Sequence, residues 1–275
     1  MTDHYAVIGN PIAHSRSPVI HAAFAAQTGQ DMSYTRLLAP LDGFETVLNQ
    51  FRAEGGRGVN VTVPFKEIAW QLADHLSPRA WQAQAVNTLS FTERGIEADN
   101  TDGAGLVNDL RGNLGFSLVG KRILLMGAGG AARGVAAALL AESPLQLVIA
   151  NRTVARAELL VQQFSALGQV SACDYAALSG QSFDCVINAT SASLHHDTIE
   201  LPQTLFSANS LAYDMMYASK PSAFMTFAAQ YGATRCVDGL GMLVEQAAVA
   251  FSIWRGITPE TKPVLQMLRT QLQAA

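Results

Sequence analysis

The sequence contains few cysteines. Cys173, Cys185 and Cys236 are the three in its 275 residues. Because they are odd in number and widely spaced, they exclude a disulfide framework and a cysteine metal centre. The first residues lack the basic and apolar regions of a signal peptide, and no apolar run is long enough to cross a bilayer. We therefore expect a reduced, cytoplasmic protein with no membrane partner.

Charge is also scarce. Charged residues make up 15% of the chain, and the formal net charge is −4. Proteins that bind nucleic acid carry a basic surface, so this composition argues against nucleic acid as a partner. No histidine pair has metal-ligand spacing, and adjacent His195 and His196 are interpreted as a loop, so we expect no metal site. A hydrophobic content of 49% over this length predicts two well-packed domains.

The most informative stretch is a glycine turn between an apolar run, residues 123–126, and an alanine-rich segment, residues 131–141. The turn and the start of the predicted helix comprise Gly127, Ala128, Gly129, Gly130 and Ala131. With Ala132 they match the dinucleotide fingerprint G-x-G-x-x-A, in which the helix N-terminus binds a pyrophosphate. Glycine turns also occur in ordinary βα units, so the fingerprint needs support from elsewhere in the chain.

That support comes from the end of the next apolar run, residues 145–150. Asn151, Arg152 and Thr153 follow it directly, and Arg156 comes soon after. An NAD enzyme would carry an acidic residue here for the ribose 2′-hydroxyl, whereas two guanidinium groups suit a 2′-phosphate. The alternative is that both arginines only solvate the start of a helix. Together with the glycine turn, they favour NADP.

Two serines precede a predicted helix near the start of the chain. Pro18 suits the first helical position and Ser17 the N-cap, and the helix should run to about Gln27. The cap does not explain Ser15. Two hydroxyls beside exposed helix N–H groups indicate an anion site, for example for a carboxylate.

A second polar group is predicted where a strand meets a helix. The alternation of valines over residues 59–63 is strand-like, and Pro64 is expected to open the next helix. Asn60, Thr62 and Lys66 gather at this junction, and open α/β sheets bind ligands at the carboxyl ends of strands. A single lysine near a helix start is otherwise a solvated surface residue.

Local signals also predict helix starts and turns in this half of the chain. Asp42 and Glu45 have the spacing of a capping box, with a helix to about residue 53. Ser77 and Pro78 predict the start of another helix. Residues 93–95 predict a hairpin-like turn between two strands.

Further polar residues end predicted strands. Asp102 precedes the nucleotide-binding half and is a candidate to line an interdomain cleft. Asn188 ends the strand predicted over residues 183–188, and Thr190 and Ser191 follow it. Gln246 lies in a strongly apolar helix predicted over residues 242–255, which also contains Glu245, and it needs a hydrogen-bond partner if it is buried. That partner could be the protein backbone or a hydroxylated substrate.

These motifs occur in one order along nearly the whole chain. They occupy residues 9–18, 60–66, 100–103, 127–133, 151–156, 188–191, 213–217 and 238–248. In all of them the sequence resembles the shikimate dehydrogenase family. The Ser-x-Ser-Pro and Asn-Val-Thr-x-Pro-x-Lys motifs are far more specific than a glycine turn.

The resemblance implies reversible, NADPH-dependent reduction of 3-dehydroshikimate to shikimate in the biosynthesis of chorismate and the aromatic amino acids. It implies a two-domain α/β fold with a deep interdomain cleft. Residues 1–102 would form an open α/β substrate domain, completed by C-terminal helices within residues 241–275. Residues 103–240 would form a Rossmann-type, doubly wound NADP domain. The chain would act as a monomer or homodimer.

The resemblance also implies a role for each motif residue. Ser15 and Ser17 would hold the substrate carboxylate, and Lys66 and Asp102 would be the catalytic pair. The residues expected around the ring hydroxyls are Thr62, Asn87, Asp102, Tyr217 and Gln246. Residues 127–131 would bind the pyrophosphate and residues 151–156 the 2′-phosphate. Met215 and Gly239 would lie beside the nicotinamide.

Two segments depart from the family pattern. Ala192 and Ser193 stand where the family commonly has a glycine, and Ser222-Ala223-Phe224 replaces an expected Thr-Pro-Phe. We expect both to change loop shape and rate rather than the reaction. The alternatives are a quinate/shikimate dehydrogenase paralogue with relaxed substrate or cofactor choice, and a non-catalytic NADP-binding sensor. The presence of both Lys66 and Asp102 argues against the sensor.

Overall fold

The computed structural model describes residues 2–190 and 200–274. The chain divides into two compact units. The first comprises Met1–Leu106 and Leu243–Met267, and the second comprises Val107–Met242 and Leu268–Ala275. The predictions for Ser191, Ala192, Ser193 and the histidine pair at 195–196 lie outside the described residues.

Helices and strands alternate along most of the chain. In order they are β1 (Asp3–Gly9), α1 (Ser17–Thr28), β2 (Met32–Leu38), α2 (Phe44–Ala53), β3 (Gly56–Val61), α3 (Lys66–Gln71), β4 (His75–Leu76), α4 (Pro78–Ala83), β5 (Thr88–Thr92), β6 (Gly95–Asp99), α5 (Asp102–Asn108), β7 (Arg122–Met126), α6 (Gly130–Ala141), β8 (Gln146–Ala150), α7 (Val154–Phe164), β9 (Val170–Cys173), β10 (Phe183–Asn188), β11 (Phe206–Asp214), α8 (Ala223–Gln230), β12 (Arg235–Asp238), α9 (Leu240–Arg255) and α10 (Thr261–Gln273). A π-helical turn, Asp109–Asn113, follows α5. Within the described ranges, no helix is long and apolar enough to span a membrane.

The first unit is built on a mixed six-stranded sheet with the order β2-β1-β3-β5-β6-β4. β1 pairs in parallel with β2 and β3, whereas β5 runs antiparallel to both β3 and β6. Ile8, Val59 and Leu89 project from neighbouring strands into one buried cluster, where Phe44 and Phe65 also pack. Burial of this face fixes the strand register, since a slip by one residue would turn the apolar set outward.

The second unit is built on a parallel six-stranded sheet with the order β12-β11-β10-β7-β8-β9. This is the order of the doubly wound dinucleotide-binding fold, so the predicted α/β class with a Rossmann-type sheet is confirmed. Residues 123–126 are buried throughout, as expected for a parallel strand covered on both faces. The register aligns Asn188, Asp214 and Asp238 at the carboxyl ends of three adjacent strands.

Several predicted elements are confirmed with their bounds. The strand predicted over residues 183–188 is β10, and the helix predicted to start at Ser77 and Pro78 is α4. Ser77 caps α4, because its Oγ accepts a hydrogen bond from the backbone N–H of Ala80 at 3.1 Å. The short strands β4 and β9 and the helix α8 were not predicted.

Other local predictions were wrong. Ser17 is the first residue of α1 rather than its cap, and its N–H instead donates to Ser15 Oγ at 3.3 Å. Gly43 precedes α2 without a side-chain cap, so Asp42 and Glu45 do not form a capping box. β3 ends at Val61, and α3 begins at Lys66 rather than at Pro64.

A histidine lies at the centre of an aromatic cluster in the first unit. The ring of His21 is fully buried and stacks on Tyr34 with the ring centroids 4.2 Å apart. Phe24, Phe251 and Trp254 surround the pair. Burial lowers the pKa of His21 to about 3, because a charged imidazole would lose its hydration here.

This burial predicts a loss of stability in acid. The unfolded chain binds a proton at His21 near the ordinary histidine pKa of 6.5, and the folded chain binds it only near 3. Above pH 6.5, His21 is therefore neutral in both states and does not change the free energy of unfolding with pH. As the pH falls from 6.5 toward 3, the free energy of unfolding decreases by up to about 1.4 kcal/mol per pH unit. Urea unfolding from about pH 8 to about pH 4 should show this slope in the difference between wild type and His21→Phe. Parallel stability curves for the two proteins would contradict it.

Candidate active site

An ion pair links the starts of two helices in the first unit. Lys66 begins α3 and Asp102 begins α5, and Lys66 Nζ donates to Asp102 Oδ2 at 2.5 Å. The two side chains are only 15% and 6% exposed. A pair so shielded from solvent is screened little by salt. Removal of either partner would leave the other charge buried and unpaired, which is costly in free energy.

The second oxygen of the Asp102 carboxylate is also hydrogen bonded. Asn87 Nδ2 donates to Asp102 Oδ1 at 2.9 Å and lies 3.2 Å from Gln246 Oε1. Gln246 Nε2 in turn donates to the backbone carbonyl of Leu243. A Cβ at Gly105 would lie 2.5 Å from Gln246 Cβ, so α5 and α9 pack closely only with glycine there. Four predicted site residues, Lys66, Asp102, Asn87 and Gln246, are thus brought together.

Behind Asn87 lies a chain of hydrogen bonds that the sequence predicts only in part. Tyr34 OH donates to Asn60 Oδ1 at 2.7 Å, and Asn60 Nδ2 donates to Thr88 Oγ1 at 3.1 Å. Thr88 Oγ1 then donates to Asn87 Oδ1 at 2.9 Å. Burial raises the pKa of Tyr34, so its hydroxyl remains a donor. Every donor in this chain points toward Asp102, which fixes the Asn87 amide with its nitrogen facing the carboxylate.

The two predicted anion-binding serines lie together at the start of α1, with Ser15 before the helix and Ser17 as its first residue. Ser15 Oγ donates to Ser17 Oγ at 3.2 Å. The Arg36 guanidinium donates twice to the backbone carbonyl of Ser15, at 2.9 and 2.6 Å, and so anchors this turn to β2. Thr62 follows β3, and a Cβ at Gly9 would lie 2.4 Å from Thr62 Cγ2. Glycine at position 9 is therefore needed for Thr62 to take this place.

The glycine turn of the second unit can accommodate a pyrophosphate. Gly127 has φ +106°, and a Cβ there would lie 3.2 Å from Ala189 O and from Thr190 Cγ2. Among the described residues, no atom lies within 4 Å of a Cβ built at Gly129, directly before α6. The first N–H groups of a helix lack partners within it, so this open space fits a group that carries phosphate oxygens.

The segment after β8 carries the two predicted phosphate-binding arginines. Arg152 and Arg156 are exposed, and Asn151 Nδ2 donates to the carbonyl of Thr153 at 2.9 Å across the turn before α7. Tyr175, which follows β9 and lies near Arg152, was not among the predicted site residues. Burial raises the pKa of Tyr175 to about 12, and the nearby Arg152 opposes that rise. Among the described residues, no carboxylate forms an ion pair with either guanidinium, so both suit a phosphate monoester.

Asp214 forms several hydrogen bonds at the carboxyl end of β11. Its buried carboxylate accepts from Asn188 Nδ2 at 3.3 Å, from the N–H of Met216 at 3.0 Å and from Ser222 Oγ at 2.5 Å. Burial raises the pKa of Asp214 despite these donors. Ser222 also caps α8 by accepting from the N–H of Met225 at 3.2 Å. Where Ser222-Ala223 replaces the expected Thr-Pro, the hydroxyl that caps the helix is therefore still present and only the proline is absent.

The remaining predicted residues of the second unit follow its strands. Met215 lies directly after β11, Gly239 follows β12, and Tyr217 lies two residues beyond Met215. A Cβ at Gly239 would lie 2.2 Å from the carbonyl oxygen of Met215, so only glycine allows this approach.

Family profiles match three parts of the chain. "Shikimate dehydrogenase substrate binding domain" matches residues 7–89, "Shikimate / quinate 5-dehydrogenase" matches residues 111–209, and "Shikimate 5'-dehydrogenase C-terminal domain" matches residues 239–269. A curated "Shikimate dehydrogenase (NADP(+))" of Dechloromonas aromatica is 59% identical over 274 residues, with both chains fully covered. The enzyme of that name from Nitrosospira multiformis is 57% identical, with 99% of each chain covered. The chain belongs to the shikimate dehydrogenase family.

Solved structures agree with this assignment. An Ael1 enzyme from Pseudomonas putida is similar with a TM-score of 0.91 and 46% identity, over 97% of this chain and 98% of the other. Shikimate 5-dehydrogenase from Thermus thermophilus, solved in complex with NADP(H) and shikimate, has a TM-score of 0.87 and 32% identity, over 98% and 100% of the two chains. The resemblance drawn from the sequence motifs is thereby confirmed.

Proposed function

We propose that this shikimate dehydrogenase family member catalyses the reversible, NADPH-dependent reduction of 3-dehydroshikimate to shikimate, in the cytoplasm. Chorismate and the aromatic amino acids would be the products of the pathway. The names of the curated relatives support NADP and shikimate as the ligands. The observation that carries the proposal is the shielded ion pair of Lys66 with Asp102, because carbonyl reduction needs a proton donor beside the reacting oxygen.

The chemistry divides between the cofactor and the ion pair. NADPH held by residues 127–131 and 151–156 would supply a hydride. The new C–H bond at the carbonyl carbon would leave the electron pair of the C=O π bond on oxygen. The Lys66 ammonium stabilises that negative charge and donates a proton to form the hydroxyl. In the reverse direction the neutral Lys66 amine accepts the hydroxyl proton. Asp102 orients Lys66 through the contact at 2.5 Å.

We infer that the predicted substrate residues act as the family motifs suggest. Ser15 and Ser17 would bind the carboxylate, since two adjacent hydroxyls and a helix N-terminus offer donors to an anion. The ring hydroxyls would contact Thr62, Asn87, Asp102, Tyr217 and Gln246. Residues 1–102 and 241–275 would form the substrate domain, and residues 103–240 the NADP domain. A monomer or homodimer would suffice for this chemistry.

The cofactor would bind at the carboxyl edge of the parallel sheet. The pyrophosphate would contact the turn formed by Gly127, Ala128, Gly129, Gly130 and Ala131. The 2′-phosphate would contact Asn151, Arg152, Thr153 and Arg156, and the nicotinamide would lie beside Met215 and Gly239. Open space at Gly129 and the exposure of both arginines support this placement.

The first test compares shikimate and quinate, each with NADP⁺ and with NAD⁺, by following the absorbance of the reduced cofactor. We expect a kcat/KM for shikimate with NADP⁺ that exceeds every other combination by about 100-fold or more, equivalent to about 2.7 kcal/mol. Comparable rates with quinate or NAD⁺ would indicate a paralogue of broader specificity. No turnover in any combination would favour a sensor.

The ion pair predicts the effect of removing the ammonium group. Lys66→Ala should lower kcat by about 10²–10⁴-fold with little change in KM for shikimate, because the interaction strengthens mainly in the transition state. Initial rates over a range of shikimate concentrations measure both constants. Lys121→Ala is a matched control, since Lys121 lies 4.0 Å from Asp184 in the second unit and should leave kcat unchanged. Near-normal turnover by Lys66→Ala would rule out the proposed role.

The exposed arginines predict a change in cofactor selectivity. Arg152→Ala should raise KM for NADP⁺ by about 10–100-fold and leave KM for NAD⁺ almost unaltered, because only NADP⁺ carries the 2′-phosphate. The control is Arg111→Ala, which removes an exposed ion pair with Glu142 in the same unit. An equal effect of Arg152→Ala on both cofactors would refute the 2′-phosphate assignment.

A further inference from the structure

The turn that carries Gly239 is shaped by one carboxylate. Asp238 ends β12 and is 7% exposed, and its Oδ1 accepts a hydrogen bond from the N–H of Leu240 at 3.2 Å. Gly239 N–H donates to the carbonyl of Met216 at 3.0 Å. The Asp238 side chain therefore closes the turn around Gly239, which lies against the backbone that follows β11.

An arginine from the last helix fixes that carboxylate. Arg269 Nη1 donates to Asp238 Oδ2 and Arg269 Nη2 donates to Asp238 Oδ1, both at 2.7 Å. Two parallel hydrogen bonds hold a carboxylate in one plane, which a single ammonium cannot do. The Asp238 carboxylate also raises the pKa of Arg269. Both residues belong to the second unit.

The charge of Arg269 also compensates for a like-charge neighbour. The register of β11 and β12 places Asp214 opposite Asp238, and both carboxylates are buried. Ser222 and Asn188 hold Asp214 with neutral donors. Among the described residues, Arg269 is the cation that pairs with Asp238, so without that guanidinium two negative charges would face each other at this sheet edge.

We propose that Arg269 is a positioning residue for NADP, which acts through Asp238 to hold Gly239 where the nicotinamide end of the cofactor binds. The inference rests on the proposed function, because that function assigns Met215 and Gly239 to the nicotinamide. The Arg269 guanidinium reaches this turn through its two hydrogen bonds to the Asp238 carboxylate. Loss of the guanidinium should thus loosen the turn and weaken cofactor binding without altering the substrate residues of the first unit.

The test measures the Kd for NADP⁺ by titration calorimetry, with KM for shikimate and the melting temperature measured on the same full-length proteins. Arg269→Met should raise the Kd by about tenfold and leave KM for shikimate within about twofold. Arg269→Lys, which keeps the charge but not the paired donors, should give an intermediate Kd. The matched control is Arg255→Met, because Arg255 pairs with Asp3 at 2.5 Å in the first unit. That control should lower the melting temperature and leave the Kd for NADP⁺ unchanged.

A double-variant cycle shows whether Arg269 acts through Asp238. If it does, Arg269→Met combined with Asp238→Asn should bind NADP⁺ no more weakly than Asp238→Asn alone. The proposal is overturned if the two effects multiply, or if Arg269→Met lowers only the melting temperature, as Arg255→Met should. Wild-type oxidation of shikimate tests the proposed function separately, since the ratio of Kd values does not depend on the substrate.

Discussion

A shielded ion pair is the constraint on which the first unit depends. Moving an ammonium and a carboxylate out of water costs several kcal/mol for each ion, and their attraction offsets this only when the remaining polar atoms are also satisfied. Asp102 meets that condition because Lys66 occupies one oxygen and Asn87 the other. The Asn87 amide is in turn held by Thr88 and by the backbone N–H of Thr101. Residues in or directly before α3, β5 and α5 thus make the pair tolerable.

The second unit uses the same arrangement with different donors. Asp214 and Asp238 lie side by side at the carboxyl ends of β11 and β12. Asp214 is held by neutral donors and has a raised pKa, whereas Asp238 is held by the Arg269 guanidinium. In each case a carboxylate at the end of a strand closes a backbone turn, at Met216 or at Leu240. Carboxylates thus shape the loops at the sheet edge where doubly wound folds bind their cofactors.

The sequence predicted the elements that depend on local pattern. β10 was correct to the residue because Phe183, Cys185, Val186 and Ile187 give the apolar pattern of a parallel strand covered on both faces. The Gly127 turn was correct because φ +106° requires glycine. Ser17 and Asp42 fit the cap pattern equally well, yet neither caps a helix. A serine or aspartate side chain can also form hydrogen bonds with groups other than the first N–H groups of a helix. Ser17 Oγ accepts a hydrogen bond from Ser15 Oγ, and the N–H of Ser17 donates to Ser15 Oγ. The roles assigned to the site residues stay predictions.

Supporting residues were missed because their chemistry is interchangeable and their partners are distant in sequence. Tyr34 meets Asn60 across 26 positions, and Arg269 meets Asp238 across 31. Nothing near Arg269 in the chain marks it, since an arginine on an exposed helix face is most often solvated. Ser222 illustrates the interchangeability: a serine hydroxyl both caps α8 and donates to Asp214 where the family pattern has threonine. Few residue types can replace a side chain that takes part in the reaction, so such side chains form recognisable sequence motifs. A residue that positions the reacting side chain is determined by contacts in the folded protein, which the local sequence pattern does not show.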